Sequence, residues 1–148
     1  MNKRIFLIGG AGYVGSLLTK SLLEKNFSVT IFDLFIYGEK YIEKNKNLKI
    51  IHGDIRDISK LKESIKNHDI VIHLACISND PSFELNPTLG KSINYDCFGP
   101  FLEVLDESSI KHLIYASSSS VYGLKSEKNV QENSKLEPLT DYSLFKKK

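Results

Sequence analysis

Sulfur, long apolar runs and surplus charge are all scarce in this chain of 148 residues. Its two cysteines, Cys76 and Cys97, are too few for a disulfide framework. Neither stands at metal-ligand spacing from a second Cys or a His, so no metal site is expected and a reduced, cytoplasmic compartment is. Nothing approaches the run of about 18 apolar residues that a membrane-spanning helix needs. The start, Met1-Asn2-Lys3-Arg4, mimics the basic end of a signal peptide, but the apolar run Ile5–Ile8 stops at Gly9-Gly10. A signal core needs about 7–15 apolar residues, so neither a leader nor a membrane partner is expected. With 20 Lys+Arg against 18 Asp+Glu, the net charge of +2 is too balanced for a protein that neutralises many phosphates, so no nucleic-acid partner is expected. No internal repeat or low-complexity linker interrupts the chain. What remains is ordinary: 41% apolar residues and nine glycines are the composition of a globular domain, not of a disordered, collagenous or coiled-coil chain.

Short β-rich apolar runs alternate with stretches of helical period, the pattern of βαβ units around a buried parallel sheet. The runs are Ile5–Ile8, Val29–Phe32, Leu48–Ile51, Ile70–Leu74 and Leu113–Ala116. Between the first two, Val14, Leu17, Leu18, Ser21 and Leu22 recur at i, i+3, i+4, i+7, i+8 and predict a crossover helix with that face inward. Asp57 is a candidate N-cap for a second helix carrying Ile58, Leu61 and Ile65. A third helical pattern runs from about Thr88 to Asp106, with Phe98, Phe101, Leu102 and Leu105 inward. Pro100 inside it demands a kink or a late start, with the Asp96 carbonyl left without its usual donor. The polar segments Gly38–Lys49 and Lys125–Pro138 read as surface loops, and a further helix starts near Leu139.

Gly9, Gly12 and Gly15 lie between the first strand and the first helix, and Asp33 follows 18 residues after Gly15 at the end of the second strand. Glycines there let the chain turn tightly and bring backbone N–H groups to a pyrophosphate at a helix N-terminus, whose dipole favours negative charge. Asp33 is placed to accept hydrogen bonds from a ribose diol and to repel a 2′-phosphate, which favours NAD over NADP. Lys40 is the nearest cation that would soften that repulsion. The competing readings are a ligand-free packing turn and a solvated loop acid.

Together with His52-Gly53-Asp54-Ile55, His73-Leu74-Ala75, Ser117–Gly123 and Tyr142-x-x-x-Lys146, the glycine loop resembles the extended short-chain dehydrogenase/reductase family, specifically its NAD-dependent nucleotide-sugar epimerases and dehydratases. The resemblance implies an α/β fold, a doubly wound, Rossmann-like parallel sheet with strand order 3-2-1-4-5, and NAD as cofactor. Gly9, Gly12, Tyr13, Val14 and Gly15 then cradle the cofactor and Asp33 holds its ribose. Asp54 and Ile55 contact its adenine, Ile55 being equally readable as core. Leu74 and Ala75 pass beside it, and Asn94 is a structural or active-site asparagine. Cys76, where alanine is commoner, reads as a small buried hydrophobe.

Ser118, Tyr142 and Lys146 correspond to the family's catalytic serine, tyrosine and lysine. Tyr142 and Lys146 are four apart and share a helix face. A phenol with a pKa near 10 is a poor base at neutral pH, and the lysine stabilises its phenolate. A Ser-rich turn and a solvated lysine tail are the bland alternatives for these two motifs. Ser119 and Ser120 stand where the family's 4,6-dehydratases resemble an Asp-Glu pair, which disfavours dehydration. The expected function is the cofactor half of a nucleotide-sugar epimerase that transiently oxidises sugar C4, with a nucleotide sugar as substrate of the longer parent. The alternative is a catalytically silent dinucleotide-binding module or a non-functional fragment. Family members continue through further strands and a substrate domain. Residues 1–148 are therefore expected to be an NAD-binding domain incomplete at its C-terminus, with Tyr142 mobile on a helix cut after one turn. The family's dimer helices correspond to those around Phe98–Leu105 and after Leu139, which leaves a homodimer open.

Overall fold

The computed structural model describes residues 3–148. Met1 and Asn2, the start of the basic run weighed as a signal segment, lie outside the described residues. The strands are β1 (Arg4–Ile8), β2 (Ser28–Asp33), β3 (Leu48–His52), β4 (Ile70–His73) and β5 (His112–Tyr115). The α-helices are α1 (Tyr13–Glu24), α2 (Ile58–Ser64), α3 (Asp80–Glu84), α4 (Pro87–Lys91), α5 (Phe98–Asp106) and α6 (Asp141–Lys147). A π-helical segment, Ser92–Asp96, links α4 to α5, and a 3₁₀ turn, Ser119–Tyr122, follows β5. Two compact units result: one runs up to Ala75 and includes Gly99–Ala116, the other comprises Cys76–Phe98 and Ser117–Lys148.

The first unit holds the sheet, parallel throughout and ordered β3-β2-β1-β4-β5 as the resemblance implied. Leu7 lies opposite Ile31 on one side and Ile72 on the other. This register gathers Ile5, Leu7, Val29, Ile31 and Ile72 into one cluster, against which Leu18, Leu22 and Leu23 of α1 pack. Phe6 and Phe32, one residue out of phase, pair at a centroid distance of 5.6 Å. A central strand covered on both faces has no polar side to present, which is why Ile5–Ile8 is an unbroken apolar run.

The buried stripe of α1 differs from the expected one. Gly15 and Thr19 are buried, with Leu18, Leu22 and Leu23 beside them, whereas Val14, Leu17 and Ser21 face outward. The close approach at Gly15 explains the rotation by one position. A Cβ there would collide with the Gly9 carbonyl oxygen and lie 2.6 Å from the Gly10 Cα, so this residue must face the loop. In α5, Phe101 and Val104 are buried while Leu102 is exposed and Phe98 and Leu105 are half-buried, again a shifted stripe. Pro100 is the third residue of α5, where a missing N–H has no intrahelical acceptor to lose. The single helix expected over Thr88–Asp106 is thus resolved into α4, the π-helical segment and a late start at Phe98. Cys97 is buried; Cys76 is half-buried rather than buried.

As expected, the Asp57 carboxylate caps α2, accepting from the Lys60 N–H at 3.0 Å, and Leu61 and Ile65 are buried. Beyond α2, His68 is held between the Ile65 carbonyl, 3.0 Å from Nδ1, and the Thr30 hydroxyl, 2.9 Å from Nε2. A carbonyl only accepts, so Nδ1 carries the proton and Nε2 accepts from Thr30. Burial is the main cause that holds the His68 pKa below its ordinary value. The unfolded chain then binds a proton that the folded chain refuses. His68 contributes its full stability above about pH 6.5, and that contribution is lost as pH falls from there through the lowered folded value. Thermal melts between about pH 5 and 8 are expected to show this loss in the natural chain and a flatter profile in His68→Gln.

The second unit is built around Phe83, which is 1% exposed. Phe145 lies 5.8 Å from it and Tyr142 6.5 Å, centroid to centroid, and Phe145 stacks on Tyr95 at 4.9 Å. The helices here begin at capping asparagines: Asn79 accepts from the Ser82 N–H and Asn86 from the Leu89 N–H, both at 3.0 Å. In α6, Tyr142, Ser143 and Lys146 are buried, and Thr140 and Ser143 form a reciprocal capping box. The expected mobility of Tyr142 is therefore corrected. A helix of seven residues is unstable alone, and here burial of one face supplies what length does not. Among the described residues no helix is long and apolar enough to cross a membrane.

Candidate active site

The candidate cofactor residues other than Asn94 lie in the first unit. Gly9 has a left-handed φ of 84°, and a Cβ on it would sit 2.5 Å from the Ala75 backbone nitrogen. The end of β4 thus abuts the glycine loop, and Leu74 and Ala75 both donate their N–H to the Ile8 carbonyl, at 2.8 and 3.1 Å. Gly9 and Gly15 are required by the protein's own packing. Gly12 is not: its Cβ would meet nothing closer than the Gly9 oxygen at 3.5 Å. No side chain caps the N-terminus of α1 and no acid lies in its first turn. An uncapped helix start beside a glycine that the fold itself does not need fits a pyrophosphate. Tyr13 and Val14, at that start, are exposed.

This geometry separates the glycines by experiment. Gly15→Ala is expected to destabilise the fold by about 1–3 kcal/mol, since the atoms it meets are backbone and do not yield. Gly12→Ala is expected to leave the unfolding free energy from urea titration within about 0.5 kcal/mol of the natural chain's while weakening dinucleotide binding.

Asp33 serves the loop directly. Its Oδ2 accepts from the Ala11 N–H at 2.9 Å and its Oδ1 from the Phe35 N–H at 2.8 Å. Each carboxylate oxygen retains acceptor capacity, so the pinning leaves room for a diol. Asp54 is differently engaged: its oxygens accept from Arg56 Nε at 2.9 and 3.1 Å and from the Arg56 backbone N–H at 2.9 Å. The bonded Arg56 side chain is the main cause that holds the Asp54 carboxyl below the usual carboxylate range. Ile55 is 5% exposed and so belongs to the core. Sequence reasoning missed Arg56, and it missed the His52–Glu39 contact of 2.7 Å with the Phe35 ring tilted against the imidazole at a centroid distance of 4.2 Å. Lys40 turns to the Tyr41 ring, 4.6 Å from its centroid.

The second unit holds Asn94, Ser118, Tyr142 and Lys146. Asn94 is buried in the π-helical segment, a form common at functional positions. Its side chain clasps the Ile77 backbone, accepting from N–H and donating to C=O, both at 2.9 Å. Ser118 precedes the 3₁₀ turn and accepts from the Ser120 N–H at 3.2 Å, and its hydroxyl lies 2.8 Å from that of Ser120. That turn packs against α6, and the Ser117 hydroxyl donates to the Lys146 carbonyl at 3.2 Å. The serine run and the Tyr142–Lys146 helix are therefore brought together.

The sequence profile described as the NAD dependent epimerase/dehydratase family matches residues 5–147. The chain belongs to this family. A putative UDP-glucose 4-epimerase of Methanocaldococcus jannaschii is 34% identical over 145 residues, covering 96% of this chain and 47% of that protein. A UDP-N-acetyl-alpha-D-glucosaminuronate decarboxylase of Bacillus cytotoxicus is 37% identical over 130 residues, 83% of this chain and 39% of that one. Among solved structures, a UDP-N-acetylglucosamine 4-epimerase from Methanobrevibacter ruminantium in complex with UDP-N-acetylmuramic acid superposes with a TM-score of 0.90 at 28% identity. That match covers 99% of this chain and 47% of the other. The chain spans about half the length of the family relatives it matches.

Proposed function

We propose that this chain is the cofactor half of an NAD-dependent nucleotide-sugar 4-epimerase. The observation that carries the reading is the glycine loop over an uncapped helix start, with Asp33 anchored to the same loop. Gly9, Gly12, Gly15 and the first N–H groups of α1 hold the pyrophosphate, and Asp33 holds the adenosine ribose. When bound, NAD supplies the acceptor and donor of hydride at sugar C4. Tyr142 takes the proton of the sugar 4-hydroxyl, and Lys146 stabilises the phenolate that must exist first. Ser118 accepts from the Ser120 N–H, and with the Ser120 hydroxyl as the donor across their 2.8 Å contact it turns its own proton to the developing 4-keto oxygen. Ser119 and Ser120 bring no carboxylate to this turn, so the acid and base work of a dehydration has no side chain there. Asn94 has both amide ends on Ile77 and acts by fixing the loop after β4.

Calorimetry tests the cofactor assignment. NAD is expected to bind residues 1–148 more tightly than NADP, and Asp33→Ala to narrow the gap. A charge-assisted hydrogen bond to the ribose is worth about 1.5–3 kcal/mol, tenfold or more in affinity. Equal affinity for the two dinucleotides in the natural chain would remove Asp33 from the site. Melting curves run beside the titrations separate ligand loss from loosening of the Ala11 and Phe35 contacts.

A further inference from the structure

The Asp80 carboxylate, first residue of α3, accepts a hydrogen bond from the Thr140 hydroxyl, which caps α6. Proton accounting makes this contact directional. Thr140 has one hydroxyl proton and two acceptors in reach, Asp80 Oδ1 and Ser143 Oγ, the latter at 3.0 Å. The Ser143 hydroxyl gives its own proton to the Thr140 carbonyl at 2.9 Å and receives the Thr140 N–H at 3.0 Å. A carboxylate only accepts, so Asp80 takes the Thr140 proton, and the lone pairs of Thr140 Oγ1 remain for the Ser143 N–H at 3.2 Å. The capping box is complete without Asp80. What the carboxylate adds is a tie between the start of α6 and the segment 77–80. That segment is itself fixed at Ile77 by the two bonds from Asn94, and at Asn79 by a left-handed φ of 70° with its side chain on Ser82.

We propose that Asp80 is a positioning residue: by holding the Thr140 hydroxyl it fixes the first turn of the helix that carries Tyr142 and Lys146. The proposal rests on the reading of those two residues as the base and its cation. It places the orientation of Tyr142 under the control of a loop remote from it in sequence, through Asn94, Ile77, Asp80 and Thr140 in turn.

The test follows two signals in residues 1–148. One is hydrogen exchange of the Leu144 amide, which donates to the Thr140 carbonyl at 2.8 Å. The other is the ¹³Cζ resonance of Tyr142, assigned by its loss in Tyr142→Phe. Asp80→Ala is expected to speed Leu144 exchange by about tenfold or more and to shift or split the Tyr142 resonance. Asp80→Asn keeps an oxygen that accepts, and is expected to hold the exchange within about threefold of the natural chain. In a Thr140→Val background, Asp80→Ala should add less than about twofold, because the partner is already gone. The Leu61 amide in α2 is expected to exchange unchanged throughout. An unchanged Leu144 rate in Asp80→Ala overturns the proposal, and so does failure of Asp80→Asn to restore it. Equal effects with and without the Thr140 hydroxyl, or acceleration of Leu61 and Leu144 alike, also overturn it. Failure of NAD to bind residues 1–148 overturns the functional reading instead and leaves these rates where they are.

Discussion

Phe83→Ala is expected to destabilise the second unit by about 3–5 kcal/mol, the cost of emptying a fully buried aromatic site that its neighbours cannot refill. Phe83 is 1% exposed and lies against Tyr142 and Phe145. A Cβ on Gly90 would collide with the Phe83 ring at Cε2 and lie 2.6 Å from its Cδ2, so α4 already packs at the closest distance a glycine allows. The loss should be local at first. Amides of α6 should exchange rapidly while those of the central strand β1 keep their protection, since the Phe6–Phe32 pair and the sheet do not depend on this ring. Phe83→Leu, which keeps most of the volume, should cost much less. An unfolding free energy from urea titration lowered by less than about 1 kcal/mol in Phe83→Ala would mean that α6 is held by something other than this cluster.

Tyr142→Phe is expected to have the largest effect on chemistry. The variant keeps the ring that packs on Phe83 and removes only the phenol proposed to take the sugar proton. When residues 1–148 are joined to the C-terminal half of a full-length relative, turnover of a sugar nucleotide should fall by about 10²–10⁴-fold, the usual worth of a positioned acid or base. Dinucleotide affinity should stay the same. Residues 1–148 by themselves are expected to bind NAD without turning over a sugar. The relatives' other half is then absent from the mixture, and with it the binding energy for the nucleotide sugar and the exclusion of water from the reacting centre. Epimerisation by residues 1–148 alone would contradict this division of labour, and retained turnover in Tyr142→Phe would remove Tyr142 as the base.

The strands were legible in the sequence because a parallel strand buried on both faces must be apolar without interruption, and Ile5–Ile8 and Ile70–Ile72 are. The helix faces were less so. Periodicity alone placed Val14 and Leu17 inward, but the contact of Gly15 with the Gly9 and Gly10 backbone rotates α1 by a residue, and a glycine carries no weight in an apolar pattern. Helix α3 spans five residues, too few for any period. Its signal was of another kind: Asn79 and Asn86 precede Asp80-Pro81 and Pro87, an N-cap followed by a proline in the first turn, and both prove to be caps.

For the site, the motifs named candidate residues at the strand ends, but not the partners those residues take in the fold. Asp33 read as a ribose acceptor, and nothing local said that it also pins Ala11 and Phe35. The Arg56 side chain on Asp54 lay two residues away and was visible only as a charge. The burial of α6 depends on Phe83 and Tyr95, which are distant in sequence, so a one-turn helix at the chain's end read as mobile. Long-range packing is what a linear pattern leaves out, and it decides whether Tyr142 is held.

The most direct test of the account uses a nucleotide sugar carrying deuterium at C4. The substrate is given to residues 1–148 joined to a relative's C-terminal half, in ordinary water with NAD, and the epimerised product is analysed by mass spectrometry. If C4 is oxidised and restored within the site while Tyr142 handles only the hydroxyl proton, the deuterium leaves carbon and returns to it, and the product keeps its label. Product that has lost the C4 deuterium to water would show that the carbon-bound hydrogen moves as a proton, which contradicts transient oxidation at C4.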